Sequence, residues 1–296
     1  MTKPYVIVLG NEKGGTGKST ISMHLIVQLM KMGFNVGSMD LDARQGTLTR
    51  YITNRRDVGS QKYDGLTMPQ HLPVERSANR SIELAEQDEE NRFKAAMEEL
   101  KENQFIVIDT PGNDTYLSRM AHCYADTLIT PLNDSFIDLD LLVRIDQHDG
   151  KIKNLKPSTY SESVWEQKKK RLMRDKVTVD WIVVRNRLSN LYARNKEEVT
   201  KVLNLLAPRL GFRIASGFGE RVIFRELFLS GLTLLDLEEI GQKLSMSHLT
   251  ARQELRNLLK AFNISEIANK ISSAEEEKKK NNSFISTCRL IDDVTD

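Results

Sequence analysis

Unbroken apolar runs alternate with stretches of helical spacing along most of this chain. Tyr5 to Leu9 is wholly apolar and reads as a buried strand. Further strands are expected over Phe34 to Asp40, over the β-branched and aromatic run Phe105 to Ile108, over Asp126 to Pro131, from Asp180 up to Asn186 and Arg187, and over Phe212 to Ala215. Ile21, Leu25 and Leu29 stand at helical spacing, and that helix is expected to end near Gly33. Other helices are expected over Asn91 to Lys101, Arg194 to Leu210 and Ser247 to Phe262, the last with Leu249, Leu255, Leu258 and Leu259 as its apolar stripe. Leu232 to Leu237 is expected to add one more element. Strands alternating with helices predict an α/β fold, a parallel sheet covered on both faces.

Two stretches break the pattern. Thr53 to Glu90 is polar and carries Gly59, Gly65, Pro69 and Pro73, so a long surface excursion with little regular structure is expected. Gly150 to Lys176 reads as a second polar insertion, with Lys168 to Arg171 as a solvated basic helix face. From Ser273 the chain becomes a charged tail expected to be disordered. One folded domain over residues 1–268 and a tail over 269–296 follow from this reading.

The chemistry concentrates between the first strand and the first helix. Gly14, Gly15, Thr16, Gly17, Lys18, Ser19 and Thr20 form a glycine-rich loop in a strand–loop–helix context. Glycines let such a loop turn its N–H groups inward, and the helix N-terminus adds partial positive charge. Lys18 is placed to meet the β- and γ-phosphates of a nucleotide, and Ser19 to ligate Mg²⁺. Asp109 ends the strand after Phe105, at the sheet edge where α/β folds bind ligands. The segment Thr110-Pro-Gly112 after it reads as a switch that senses the γ-phosphate. Asp40 and Asp42 follow the second strand toward the same edge.

The usual P-loop begins with glycine, and here that position is Glu12. Lys13-Gly-Gly-Thr-Gly-Lys-Ser-Thr20 instead resembles the deviant Walker A loop of the ParA/MinD family of ATPases. The resemblance implies ATP and Mg²⁺ as ligands and a mostly parallel, roughly eight-stranded sheet flanked by helices. It implies that Lys13 reaches the phosphates of a partner across an ATP-bound homodimer, and that Asp42 positions or activates the attacking water, with Asp40 near Mg²⁺. It also implies that Asn186 reads the adenine edge, with Arg187 beside it. Longer blocks resemble the division-site regulators within that family: Asn11-Glu-Lys-Gly-Gly15, Asp40-Leu-Asp-Ala-Arg-Gln45, Thr130 to Phe136, Trp181 to Leu188, Arg221 to Phe228 and His248 to Arg256. This branch implies slow, regulatory ATP hydrolysis, ATP-dependent dimers that inhibit assembly of FtsZ and bind DNA without sequence preference, monomers recruited by ParB, and a nucleoid-associated gradient from the cell pole. The candidate DNA contacts are Arg187, Arg194, Lys196, Lys201, Arg209, Arg213 and Arg221, diluted by Glu197 and Glu198.

Composition narrows the rivals. Of 296 residues, 40% are hydrophobic and 28% charged, which suits a globular protein without disulfide staples. The net charge of +2 means that any nucleic-acid site must be a local patch. Cys123 and Cys288 lack metal-site spacing, fit a reducing cytoplasm and do not resemble a metal carrier's cysteine pair. The first apolar run is already a strand, so no signal peptide is expected, nor is any run long enough to span a membrane. A MinD-like membrane switch would want a basic amphipathic C-terminal helix, which Asn281 to Asp296 does not offer. A partitioning ATPase of the ParA type shares every motif and is the nearest rival. A dethiobiotin synthetase-type ligase would use a related loop and need an organic substrate.

Overall fold

The structure, a computed structural model, describes residues 3–63, 65–148, 151–188 and 193–273. Seven parallel strands form one sheet in the order β3-β2-β4-β1-β5-β8-β9. They are β1 (Tyr5–Leu9), β2 (Val36–Asp40), β3 (Gln70–Pro73), β4 (Phe105–Asp109), β5 (Thr127–Asn133), β8 (Asp180–Asn186) and β9 (Arg213–Ala215). The central strands are apolar without alternation because helices cover both faces. Val6, Val8, Ile106 and Ile108 enter one core cluster, while Ile7, Leu9, Phe105 and Val107 enter the other. The sheet thus holds seven strands among the described residues, against roughly eight expected. A separate antiparallel hairpin, β6 (Val143–His148) and β7 (Lys151–Pro157), lies where the second polar insertion was expected to begin.

Helices α1 (Lys18–Lys31), α7 (Ala193–Leu210) and α9 (Met246–Lys260) fall where apolar spacing predicted them. Three others correct the expectation of irregular stretches. α2 (Thr47–Gln61) and the first half of α3 (Ile82–Glu99), with β3 between them, fill more than half of the supposed excursion, and the second half of α3 is the helix expected from Asn91. α6 (Thr159–Asp175) fills most of the second insertion. Their buried faces are narrow and partly polar. α2 buries Leu48, Tyr51, Ile52 and Arg55, α3 buries Glu89, Phe93 and Ala96, and α6 buries Tyr160, Val164, Gln167 and Arg171. Arg171, expected in solvent, is buried in ion pairs with Asp126 and Asp175. Leu232 to Leu237 forms turns rather than a regular element, although Leu232, Leu234, Leu235 and Leu237 are all buried. Two short helices, α4 (Tyr116–Tyr124) and α5 (Phe136–Leu139), follow β4 and β5, and α8 (Ile223–Ser230) follows β9.

The chain remains helical past position 268, over 265–273, with Ile267 and Ile271 in the core. Residues 274–296 of the expected tail lie outside the described residues. Among the described residues no helix is long and apolar enough to cross a membrane.

Candidate functional site

Register brings the chemistry together. Leu9 pairs with Asp109, and Asp109 pairs with Asp40, so three neighbouring strands end side by side. The glycine loop leaves β1 at this edge and runs into α1. Gly15 and Gly17 take φ of +72° and +91°, which only glycine adopts without strain. A Cβ at Gly17 would lie 2.2 Å from Asn186 Nδ2, so that position tolerates no side chain. Gly112, from the expected switch, passes close beside the loop: a Cβ there would lie 3.0 Å from the Gly14 backbone nitrogen. Thr110 ties the start of that segment to β1 by donating from Oγ1 to Leu9 O at 2.8 Å.

The two lysines of the loop have different surroundings. Lys18 is buried, and its Nζ donates to Asn11 O at 3.0 Å and Lys13 O at 3.1 Å. Burial lowers its pKa from the ordinary lysine value, against the pull of Asp109 and Asp42. Lys13 turns outward to α5, donating to Ile137 O at 2.7 Å and pairing with Asp138 Oδ1 at 2.9 Å. Beside it Ile137 is 74% exposed. The loop and the adenine candidate also touch, because Asn186 Nδ2 donates to Thr16 O at 2.8 Å. Arg187 is exposed, with φ +53° and its N–H on Asn186 Oδ1.

The loop opens on a cavity of about 730 Å³, lined by Gly14 to Thr20, Asp42, Asp109, Thr110 to Asn113 and Arg187. Arg44 and Gln45, quoted above only as part of a block, line it too, as do Thr47, Arg76 and Thr115, which had no signal in the sequence. A more apolar pocket of about 300 Å³ adjoins it, sharing Gly17, Thr20, Thr47 and Arg187. Asn186, Phe218, Phe224, Phe228 and Leu255 line this second pocket, whose size and apolar walls suit a flat base. Of the residues lining it, only Asn186 and Arg187 were expected beside the base. The aromatic walls follow β9 and look like ordinary core residues until the fold gathers them.

The acids crowd together. Asp109 is fully buried, and burial, then the neighbouring Asp40, push its carboxyl up to about 7. Asp42 is also raised, first by burial and then by Asp40. Asp40 itself is committed to its own loop and to α2: it accepts from Asp42 N at 3.0 Å and from Thr49 N and Oγ1, both at 2.9 Å. It anchors the Asp42 loop and the start of α2 behind the cavity wall. Buried carboxylates with raised pKa values are relieved by a cation, and their oxygens with Ser19 are hard donors, so the site fits Mg²⁺. Among the described residues no cluster of three or more His, Cys, Asp or Glu could hold a metal by itself.

Among the described side chains, the expected DNA contacts have different surroundings. Arg213 pairs with Asp180 and donates to Ala261 O. Arg221 makes a two-point pair with Glu254 at 2.6 and 2.9 Å and lines the apolar pocket. Lys201 and Arg209 are exposed on α7. The side chains of Arg194 and Lys196 lie outside the described residues.

A parallel sheet, a glycine loop between strand and helix, a buried lysine in that loop and an acid ending the adjacent strand define a P-loop ATPase fold of the ParA/MinD type. The family model described as ATPase MipZ matches residues 5–266, and the chain belongs to that family. The sporulation initiation inhibitor protein Soj of Bacillus subtilis is 28% identical over 158 residues. That match covers 47% of this chain and 62% of Soj, less than two thirds of its length. Among solved structures, the ATP complex of a McdA variant from Cyanothece superposes with a TM-score of 0.60 at 17% identity, covering 90% of this chain and 98% of that one. The septum site-determining protein MinD of Pyrococcus horikoshii, complexed with Mg-ADP, gives 0.53 at 16% identity, covering 88% and 98%. At these identities the two structures share the fold.

Proposed function

We propose that this chain is an ATP-dependent dimerising switch that positions the division site by inhibiting FtsZ assembly. The dimer binds DNA non-specifically and the monomer binds ParB. The observation that carries the reading is the division of labour between the two lysines. Lys18 sits inside the cavity, whereas Lys13 stands on an exposed rim beside Ile137, where a second copy can meet it.

Phosphoryl transfer asks mainly for positioned charge and a held water. Gly14 to Thr20 would wrap the phosphates with backbone N–H groups, and Lys18 would exchange its carbonyl partners for phosphate oxygens. Ser19 and Asp109 would hold Mg²⁺, which neutralises charge on the β- and γ-phosphates when bound. Asp42 would orient the water that attacks the γ-phosphorus as the bond to the ADP oxygen breaks. Asn186 would release Thr16 O to meet the adenine edge. Lys13 would leave Asp138 for the partner's nucleotide, so dimerisation and completion of the site are one event.

The test is sedimentation of the full chain with ATP, with ADP and without nucleotide, each with and without duplex DNA. A dimer is expected only with ATP, and DNA bound only by that dimer. Lys13→Ala should stay monomeric, and Asp42→Ala should hold the ATP dimer with little hydrolysis. A monomer in every state would overturn the switch and favour the ligase class. A parallel FtsZ sedimentation assay separates the division role from partitioning, the nearest rival. Unchanged FtsZ polymer in the presence of the ATP dimer would leave the partitioning role.

A further inference from the structure

The edge strand β3 carries an unassigned feature to the phosphate cavity. Asp40 pairs with Pro73, and Val74 N donates to Asp40 O at 2.9 Å, so β3 ends level with the acids. The turn that follows is fastened from α3 at several points. Arg92 Nη1 donates to Glu75 O at 3.3 Å, Ser77 Oγ to Asp88 Oδ2 at 2.7 Å, and Ser77 N to Glu89 Oε1 at 3.1 Å. Glu89 is buried, and its Oε1 lies 3.6 Å from Arg76 Nε. The side chain this mount presents is Arg76, which lines the cavity together with Asp42, Asp109, Gly112 and Thr115.

The sheet order says which end of a nucleotide Arg76 would meet. The base-side residue Asn186 ends β8 and Arg187 follows it, the glycine loop follows β1, Asp109 ends β4 and Asp42 follows β2. A nucleotide laid across these strand ends runs from base to terminal phosphate in that direction. β3 is the next strand beyond β2. Arg76 therefore stands past the acids, at the far end from the base. A guanidinium there is a two-pronged donor matched to phosphate oxygens.

We propose that Arg76 is a catalytic residue that contacts the terminal phosphate of ATP bound to its own chain and so distinguishes ATP from ADP. The proposal rests on the reading of this chain as an ATP-binding switch. Charge-assisted bonds of this kind are worth roughly ten-fold to one-hundred-fold in affinity. Glu89 and the Ser77 bonds set the angle from which the guanidinium approaches.

The test compares the full-length chain with Arg76→Ala and Arg76→Lys by calorimetric titration with ADP and with a non-hydrolysable ATP analogue. Arg80→Ala, on the same connection but outside the cavity lining, is the control, and thermal melts establish that each variant is folded. For Arg76→Ala, the ADP constant should stay within about two-fold of the parent, while analogue binding weakens about 10- to 100-fold. Arg76→Lys should recover part of the loss, and millimolar guanidinium should raise the Arg76→Ala turnover number. The same discrimination should persist in a Lys13→Ala background, where no dimer forms. Equal effects on ADP and analogue, or none on either, would overturn the proposal. Loss of the effect in the Lys13→Ala background would assign Arg76 to the partner's side and overturn the assignment to its own nucleotide. If the parent chain binds neither nucleotide, the ATP reading itself fails.

Discussion

Removing the carboxylate of Asp236 should destabilise this protein more than almost any other single change to a polar side chain. Arg55 of α2 and Asp236 are both fully buried, and they form a two-point pair at 2.7 and 2.9 Å. Arg55 also donates from Nε to Thr67 O at 2.9 Å and from Nη1 to Gly231 O at 3.2 Å. Asp236 accepts from Thr233 N and Oγ1, both at 2.7 Å, with Lys31 Nζ 3.4 Å away. Burial alone would push the carboxyl up; the Arg55 bond and charge, with Thr233, overcome it and hold it at about 2 instead of 3.8. At about 1.4 kcal/mol per pH unit, that depression corresponds to roughly 2–3 kcal/mol of stability. The folded value lies below the unfolded one, so this contribution is complete above pH 3.8 and disappears as pH falls through about 2. Asp236→Ala at pH 7 also leaves the guanidinium buried with carbonyl partners only, and the expected loss is about 3–5 kcal/mol. Urea unfolding should show a lower midpoint with an unchanged slope. The double variant Arg55→Met, Asp236→Leu should recover to within about 1 kcal/mol of the parent, because no charge is then left unpaired. A single variant within about 1 kcal/mol of the parent would refute the argument that burial makes this pair indispensable.

Two further changes probe the loop and the region beneath the switch. Gly17→Ala forces a Cβ into the left-handed region and against Asn186 Nδ2, costing about 1–2 kcal/mol for the backbone and about 1 for the Asn186–Thr16 bond. Its melting temperature should fall and ATP affinity should drop at least about ten-fold; unchanged affinity in a titration would contradict the fit of loop to Asn186. His122 is buried with neither ring nitrogen hydrogen-bonded, and burial lowers its pKa from 6.5 to about 4. Its neutral form is the one that folds, so its contribution is complete above pH 6.5 and is lost as pH falls toward 4. His122→Leu should match or exceed the parent at pH 7.5 and lead it by up to about 3 kcal/mol more near pH 4. Parallel urea midpoints across that range would count against it.

The central site was legible because its signals are local. Glycine spacing, two lysines and a strand-ending aspartate each announce themselves within a few residues, and unbroken apolar runs such as Phe105 to Ile108 can only be buried strands. What escaped depends on partners far along the chain. α2 buries Arg55 only because Asp236 waits 181 residues later, and α6 buries Arg171 because Asp126 and Tyr124 O receive it. A polar stripe looks solvated until its partner is known. The same blindness hid Arg76, since its strand was read as part of an irregular excursion. It also left Arg213 and Arg221 looking like free surface charges, although Asp180 and Glu254 hold them.

The hydrogen bonds that close the glycine loop on itself have a thermodynamic consequence. Lys18 already holds Asn11 O and Lys13 O, and Asn186 already holds Thr16 O. The loop thus carries a built-in competitor for its own ligand. On the proposed reading, nucleotide would take Lys18 and Asn186 from these carbonyls, so the number of bonds would change little on binding while the charge they face would change greatly. Such an exchange gives a modest heat, a strong dependence on salt, and an occupancy that cellular ATP and ADP levels can tip in either direction. A loop that stayed open would bind more tightly and respond less.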